Sequence, residues 1–254
     1  MDGFETLVYE KNDHIAYVTL NRPHALNVYT IQMRDDLFEV LSAIKDDPDV
    51  RVVIFKGAGE KAFCAGADLT QFLTAPSPTV ARQVRFGRDV WALFLSIPQP
   101  LIAALHGYVL GSGMEIALFC DLRIASDDVL FGLPEVGLGI IPAAGGTQTL
   151  PRIIGRARAL EMLLTNHWVT GREAYDMGLV NKVVARDQLL PAAQEMAQKI
   201  ARCDPAAVRK AKEAVLRGAD LPLSDGLYLE KRLASGLGLQ AASVQKARTA
   251  AEEE

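Results

Sequence analysis

Hydrophobic and polar positions change their period along this chain, and the changes divide it into elements. Leu7 to Glu10 and Ile15 to Leu20 are apolar-rich runs either side of the polar pair Asn12-Asp13, and they predict two short strands. The stretch from Asn21 to Asn27 predicts a loop, because Pro23 biases Arg22 away from helix. Met33, Leu37, Val40, Leu41 and Ile44 recur at helical spacing behind Thr30, a capping residue type. Val52 to Phe55, within Arg51 to Lys56, predicts a buried strand that ends at Gly57-Ala58-Gly59.

The pattern continues past a Pro/Ser loop at Thr74 to Pro78. Val80 to Ser96 predicts a helix with Val84, Trp91, Leu93, Phe94 and Leu95 among its apolar residues, stopped by Pro98 and Pro100. Leu101 to Leu105 predicts a second buried strand, and Leu122 to Ala125 another. Loop-plus-helix units follow at 144–155 and 156–165, then a short helix closed by Gly178 and a strand at Lys182 to Ala185. From Leu189 the strand signal stops, and three helical segments follow near 189–202, 205–217 and 223–235. The predicted organisation is a mixed α/β core over residues 1–190 and a helical region over 191–254, with an Ala/Glu-rich tail from Ala241.

Two stretches break these periods with small residues and isolated charge. Gly111-Ser112-Gly113 opens into the apolar run Met114 to Cys120, which contains one carboxylate, Glu115. A charge inside such a run is costly to bury unless something holds it or uses it. A turn of this kind at a helix start leaves backbone N–H groups pointing outward, where they can stabilise developing negative charge. The alternatives stay open: the glycines also suit a tight strand-to-helix connection, and Glu115 also suits an ion pair with an arginine from elsewhere. Ala65-Gly66-Ala67-Asp68 repeats the theme, either as a second such turn or as a compact loop with Asp68 at a helix start. Glu135 follows Pro134 in another glycine-containing apolar stretch, and alone it reads equally as solvated surface.

Composition narrows the classes. A chain of 254 residues, 50% hydrophobic and 23% charged, is of ordinary globular make-up and long enough to bury a sizeable core. Its net charge of −4 gives no electrostatic reason to expect nucleic acid or an anionic membrane as partner. The three cysteines, Cys64, Cys120 and Cys203, are scattered without a CxxC pair, which fits a reducing cytoplasm and argues against a disulfide framework. The four histidines show no ligand spacing, so no metal is expected, and no apolar run approaches a membrane span. There is neither a GxSxG elbow nor a GxGxxG dinucleotide fingerprint.

Taken in order, LNRPHALN, KAFCAGADL, ALHGYVLGSGMEIALFCDLRIAS, FGLPEVGLGIIPAAGGTQTLPRIIG and REAYDMGLVNKVV resemble the enoyl-CoA hydratase/isomerase family, the crotonase superfamily, over nearly the whole chain. The resemblance implies an α/β fold, a crotonase-like spiral of ββα turns, followed by a C-terminal helical segment used in trimerisation, with hexamers as stacked trimers. It implies an acyl-CoA substrate and no separate cofactor, because coenzyme A is part of the substrate. By position it assigns oxyanion-hole donors to the amides of Ala67 and Ser112, the latter where many members carry glycine. Contact with the coenzyme A nucleotide, pantetheine or acyl group falls to His24, Ala25, Leu26, Ala65, Gly66, Asp68, Leu69 and Gly111. Hydratases of the family use two glutamates, and both positions are filled, by Glu115 and Glu135. The implied reaction is reversible syn addition of water to a 2-enoyl-CoA. The alternatives are hydration of a branched or cyclic enoyl-CoA, with Trp91, Trp168 and the 72–95 segment shaping the pocket, or Δ3,Δ2-isomerisation. A non-catalytic RNA-binding role is the distant alternative, disfavoured by the acidic balance. Asn166-His167-Trp168 and the tail SVQKARTAAEEE depart from the family pattern.

Overall fold

The computed structural model describes residues 3–72, 77, 79–80 and 87–237. Its strands fall into two sheets, and the chain supplies them alternately. The larger sheet contains β1 (Leu7–Asn12), β2 (Ile15–Leu20), β3 (Val52–Gly57), β5 (Leu101–Leu105), β7 (Leu122–Ser126) and β10 (Lys182–Val184), side by side in that order. The smaller contains β4 (Ala62–Cys64), β6 (Tyr108–Leu110), β8 (Leu130–Gly132) and β9 (Val169–Thr170). Pairing is parallel throughout except for the β1–β2 hairpin and the β8–β9 edge. Three times in succession the chain lays a strand in the larger sheet, the next in the smaller, and then proceeds towards a helix or helical turn. This is the spiral of ββα turns that the family resemblance implies.

The period-two burial of the central strands explains why they read as unbroken apolar runs. Val53, Phe55, Leu101, Ala103 and Leu105 face the main core, while Val52, Ile54, Ile102, Ala104 and Ile124 face the other way. The second face is covered by Leu189, Ala193 and Ala197 of helix Leu189–Ala201. That helix therefore belongs to the sheet, and the first compact unit ends at Arg202, not at the expected residue 190. Leu189, Ala193, Met196, Ala197 and Ile200 recur at helical spacing, but periodicity alone does not say which surface such a stripe covers. The second unit begins at Cys203 and contains helices Pro205–Gly218 and Leu223–Ser235, which pack on each other.

Local signals behave largely as read. Thr30 caps helix Ile31–Asp46 through the N–H of Met33, at 3.1 Å. Thr170 and Glu173 form a capping box at the start of Gly171–Asp176. The helix expected over 80–96 is different: residues 81–86 lie outside the described residues, and the described helix is Val90–Ser96, capped by Asp89. Most of the Pro/Ser loop and the tail from Ala241 also lie outside them. No helix among the described residues is long and apolar enough to cross a membrane.

Helix Ser112–Phe119 meets the smaller sheet closely where Gly113 stands on Cys64 of β4. A methyl group on Gly113 would overlap the Cys64 carbonyl and sit 2.7 Å from its Cβ. Gly113→Ala should therefore push helix Ser112–Phe119 off its strand and lower stability by roughly 1–3 kcal/mol, as overpacking does. Urea unfolding checks this; an unchanged midpoint would mean that the helix is free to shift.

Candidate active site

The smaller sheet determines where chemistry can happen. β4, β6 and β8 run parallel, and the segment leaving each carboxyl end turns towards a common space. From β4 come Ala65 to Leu69, from β6 come Gly111 and Ser112, and from β8 come Leu133 and the 3₁₀ turn Pro134–Leu138. Gly66 and Gly111 both take positive φ, 112° and 49°, which lets the three segments close on one another. A Cβ on Gly111 would lie 2.9 Å from Glu135 Oε1 and 3.4 Å from the Cα of Gly66. The space they enclose is a cavity of about 410 Å³ lined by Ala65, Gly66, Ala67, Leu69, Gly111, Ser112, Glu115 and Glu135 among others.

The amide of Ala67 faces an unusual pattern of bonding. Tyr29 pairs in parallel across it: the Tyr29 N–H donates to Gly66 O at 2.8 Å, and Asp68 N–H donates to Tyr29 O at 2.8 Å. This arrangement uses the groups either side and leaves the Ala67 N–H without an acceptor among the described residues. Ser112 opens helix Ser112–Phe119, so its N–H has no intrahelical partner, and none other is found among the described residues. Two unpaired amides from different strands thus border one cavity.

Glu115 sits in the first turn of that helix and is only 2% exposed. Among the described residues it has no cationic partner. Its Oε1 instead accepts the N–H groups of Ala144 and Gly146, at 2.9 and 3.0 Å. The ion-pair alternative therefore fails. The buried arginine nearby, Arg123, spends its guanidinium on the carbonyls of Ala117, Cys120 and Leu179, tying down the far end of the same helix. Burial pushes the Glu115 carboxyl up to about 7; the Gly146 amide opposes this, the Glu135 charge adds to it, and the Ala144 amide opposes it further. Burial also raises Glu135, whose Oε2 is enclosed and has no hydrogen-bond partner among the described residues. An enclosed, unpartnered carboxylate oxygen in a cavity is a group placed for something that enters it.

Not every residue singled out in the sequence reaches this wall. Asp68 turns its carboxylate back, taking the Thr70 N–H and hydroxyl at 3.1 and 2.6 Å to cap the short helix Leu69–Phe72. His24, Ala25 and Leu26 form a tight turn beside the cavity and are not part of its lining; Leu26 O accepts the Ala65 N–H at 3.0 Å. Trp91 lines the cavity, but Trp168 does not: it packs against Gly132 and edge-on to Tyr108. Sequence reasoning missed Tyr29, Arg34, Ile140 and the loop at 143–145 as lining. A Gly-Gly pair at 145–146, where a side chain on Gly146 would crowd Glu115 Oε1 at 3.1 Å, was the available signal for the loop.

The chain is similar to known proteins along most of its length. The enoyl-CoA hydratase/isomerase family model matches residues 10–254. The chain is 42% identical over 220 residues to the (E)-benzylidenesuccinyl-CoA hydratase of Thauera aromatica, covering 86% of this chain and 85% of that one. It is 40% identical over 224 residues to the short-chain-enoyl-CoA hydratase of Clostridium acetobutylicum, covering 88% and 86%. The crystal structure of enoyl-CoA hydratase from Bacillus anthracis superposes with a TM-score of 0.92 at 38% identity, over 98% of this chain and 97% of that one. With its spiral, its cavity and this length of matched sequence, the chain belongs to the enoyl-CoA hydratase/isomerase family.

Proposed function

We propose that the protein is an enoyl-CoA hydratase that adds water reversibly, on one face, to a 2-enoyl-CoA thioester to give the 3-hydroxyacyl-CoA. The observation that carries this reading is the sharing of one cavity by the buried carboxylate of Glu115, the half-buried carboxylate of Glu135 and two unpartnered amides. The thioester oxygen lies between the N–H groups of Ala67 and Ser112, which take up charge as the enolate forms. Glu115 holds the water and removes a proton as oxygen bonds to C3; Glu135 delivers a proton to C2. One proton leaves and one arrives, so one carboxyl on each task avoids a shuttle between them. Two carboxyls in a dry cavity resist ionising together, which keeps a proton in the pair. Hydration changes no oxidation state overall, and the reading assigns no resident cofactor and no metal. An isomerase moving a double bond needs one shuttling base, and a second carboxyl lining the cavity favours hydration over it.

The surrounding assignments follow from the same reading. Ala65, Gly66, Leu69 and Gly111 contact the thioester and pantetheine, with the His24 to Leu26 turn and Asp68 at the coenzyme A side. The helices beyond Cys203 serve assembly into trimers or paired trimers, and Leu223, Leu227 and Tyr228 are exposed there. A cytoplasmic location is consistent with Cys64, Cys120 and Cys203 all being free thiols.

Glu115→Gln and Glu135→Gln should each reduce the rate of crotonyl-CoA hydration by about 10²–10⁴-fold while the circular dichroism spectrum is kept. Turnover close to wild type in either variant would remove that residue's role. A second prediction concerns stability. Because folding raises the Glu115 carboxyl from 4.5 to about 7, the folded state holds a proton that the unfolded chain releases, so its contribution to stability falls as pH rises across that interval. Glu115→Gln should therefore gain on wild type in urea unfolding between pH 5 and pH 8. An unchanged difference at the two pH values would mean that Glu115 is not buried as described.

A further inference from the structure

Three aromatic rings reach the cavity from three different segments. Tyr29 precedes the first long helix, Phe72 closes Leu69–Phe72, and Trp91 lies in Val90–Ser96. Tyr29 stacks on Phe72 with centroids 5.6 Å apart and 18° between planes, and meets Trp91 at 5.6 Å and 39°. Behind them Trp91 stacks on Phe119 at 5.6 Å, and Phe94 backs both at 6.3 and 6.0 Å. Phe94 is fully enclosed and is core; Trp91 and Phe72 are half-buried and keep surface open to the cavity.

The rings join the two ends of the reacting region. At one end the backbone of Tyr29 brackets the Ala67 amide. At the other, Phe119 lies one helical turn beyond Glu115 and fills the place where a side chain on Gly145 would stand, 2.7 Å from its Cζ. Gly145 lies between the two residues whose amides hold Glu115. An enoyl thioester set between the amides and the carboxylates therefore has this wall beside the substituent on C3. The same cavity is also lined by the aliphatic side chains of Leu138, Ile140 and Ile141. A flat ring entering such a slot gains offset and edge contacts with the wall beyond the area it buries, which a saturated group of equal volume does not. An aryl group conjugated with the enoyl bond is also stiff, and loses little rotational freedom on binding.

We propose that Tyr29, Phe72 and Trp91 make this enzyme selective for 2-enoyl-CoA thioesters that carry a planar aryl group on C3, an inference that rests on the hydratase reading above. The specificity lies in the wall and not in the acid/base pair, so it is separable by experiment. The reverse reaction is the cleaner assay: the C3–O bond breaks, a proton leaves C2, and water is released, without the thermodynamic cost of breaking aryl conjugation. Dehydration would be measured with 3-hydroxy-3-phenylpropanoyl-CoA, 3-cyclohexyl-3-hydroxypropanoyl-CoA and 3-hydroxybutanoyl-CoA. For wild type, kcat/KM for the phenyl substrate is expected to exceed that for the cyclohexyl substrate by about tenfold. In Trp91→Leu and Phe72→Leu the ratio should fall to within about threefold of unity. Both rates come from one preparation, so loss of folded protein cancels from the ratio. A wild-type ratio at or below unity, or a ratio unchanged in both variants, overturns the proposal. Failure to turn over any of the three, 3-hydroxybutanoyl-CoA included, would instead overturn the hydratase reading itself.

Discussion

A carboxylate kept almost out of water, held by two amides and by no cation among the described residues, is the constraint around which this molecule is arranged. Glu115 could be neutralised by an arginine, and in many interiors it would be. Here the guanidinium within reach is committed to carbonyl oxygens, and the carboxylate is left with the N–H groups of Ala144 and Gly146. Two amides steady the side chain without pinning its charge. The result is a group whose proton affinity lies near neutrality, where giving and taking a proton are both cheap.

Holding such a group requires the backbone to come unusually close. The carboxyl ends of three parallel strands converge, and glycine stands at each crowded point: Gly111 against Glu135 and Gly66, Gly113 against Cys64, Gly146 against Glu115. A sheet with side chains at these places could not bring its loops together. The crowding also fixes what the amides of Ala67 and Ser112 face, since their neighbours are consumed in bonds between segments. Fold and site therefore share one set of contacts.

The legible parts of this architecture were those set by local chemistry. Thr30 and its helix, the runs 52–55 and 101–105, and the small-residue turns at 65–68 and 111–113 each carry a signal within a few residues. The site's two carboxylates were visible as charges out of place, and the order of motifs along the chain linked them. What was not legible depended on distant partners. Nothing near Asp68 distinguishes a cavity wall from a helix cap; that choice was made by Thr70 and by which way the turn ran. Trp168 looked like a pocket residue because it is large and unusual in its place, yet Gly132 provides the seat that takes it elsewhere. Helix Leu189–Ala201 looked like the start of an appendage because its apolar stripe, Leu189, Ala193, Met196, Ala197 and Ile200, does not name the sheet face it covers.

Arg123 gives the short helix a fixed lower end. Its side chain gathers carbonyls from the last turn, Ala117 and Cys120, and from Leu179 a long way along the chain, at 3.2, 2.6 and 2.7 Å. The helix that bears Glu115 is thereby moored to the strand after it and to the segment leading into the final strand of the large sheet. Any displacement of that segment, as by a change in sequence near residue 179, is passed through the guanidinium to the helix that carries the carboxylate. Sensitivity of turnover to remote packing is thus built into the way one guanidinium is shared.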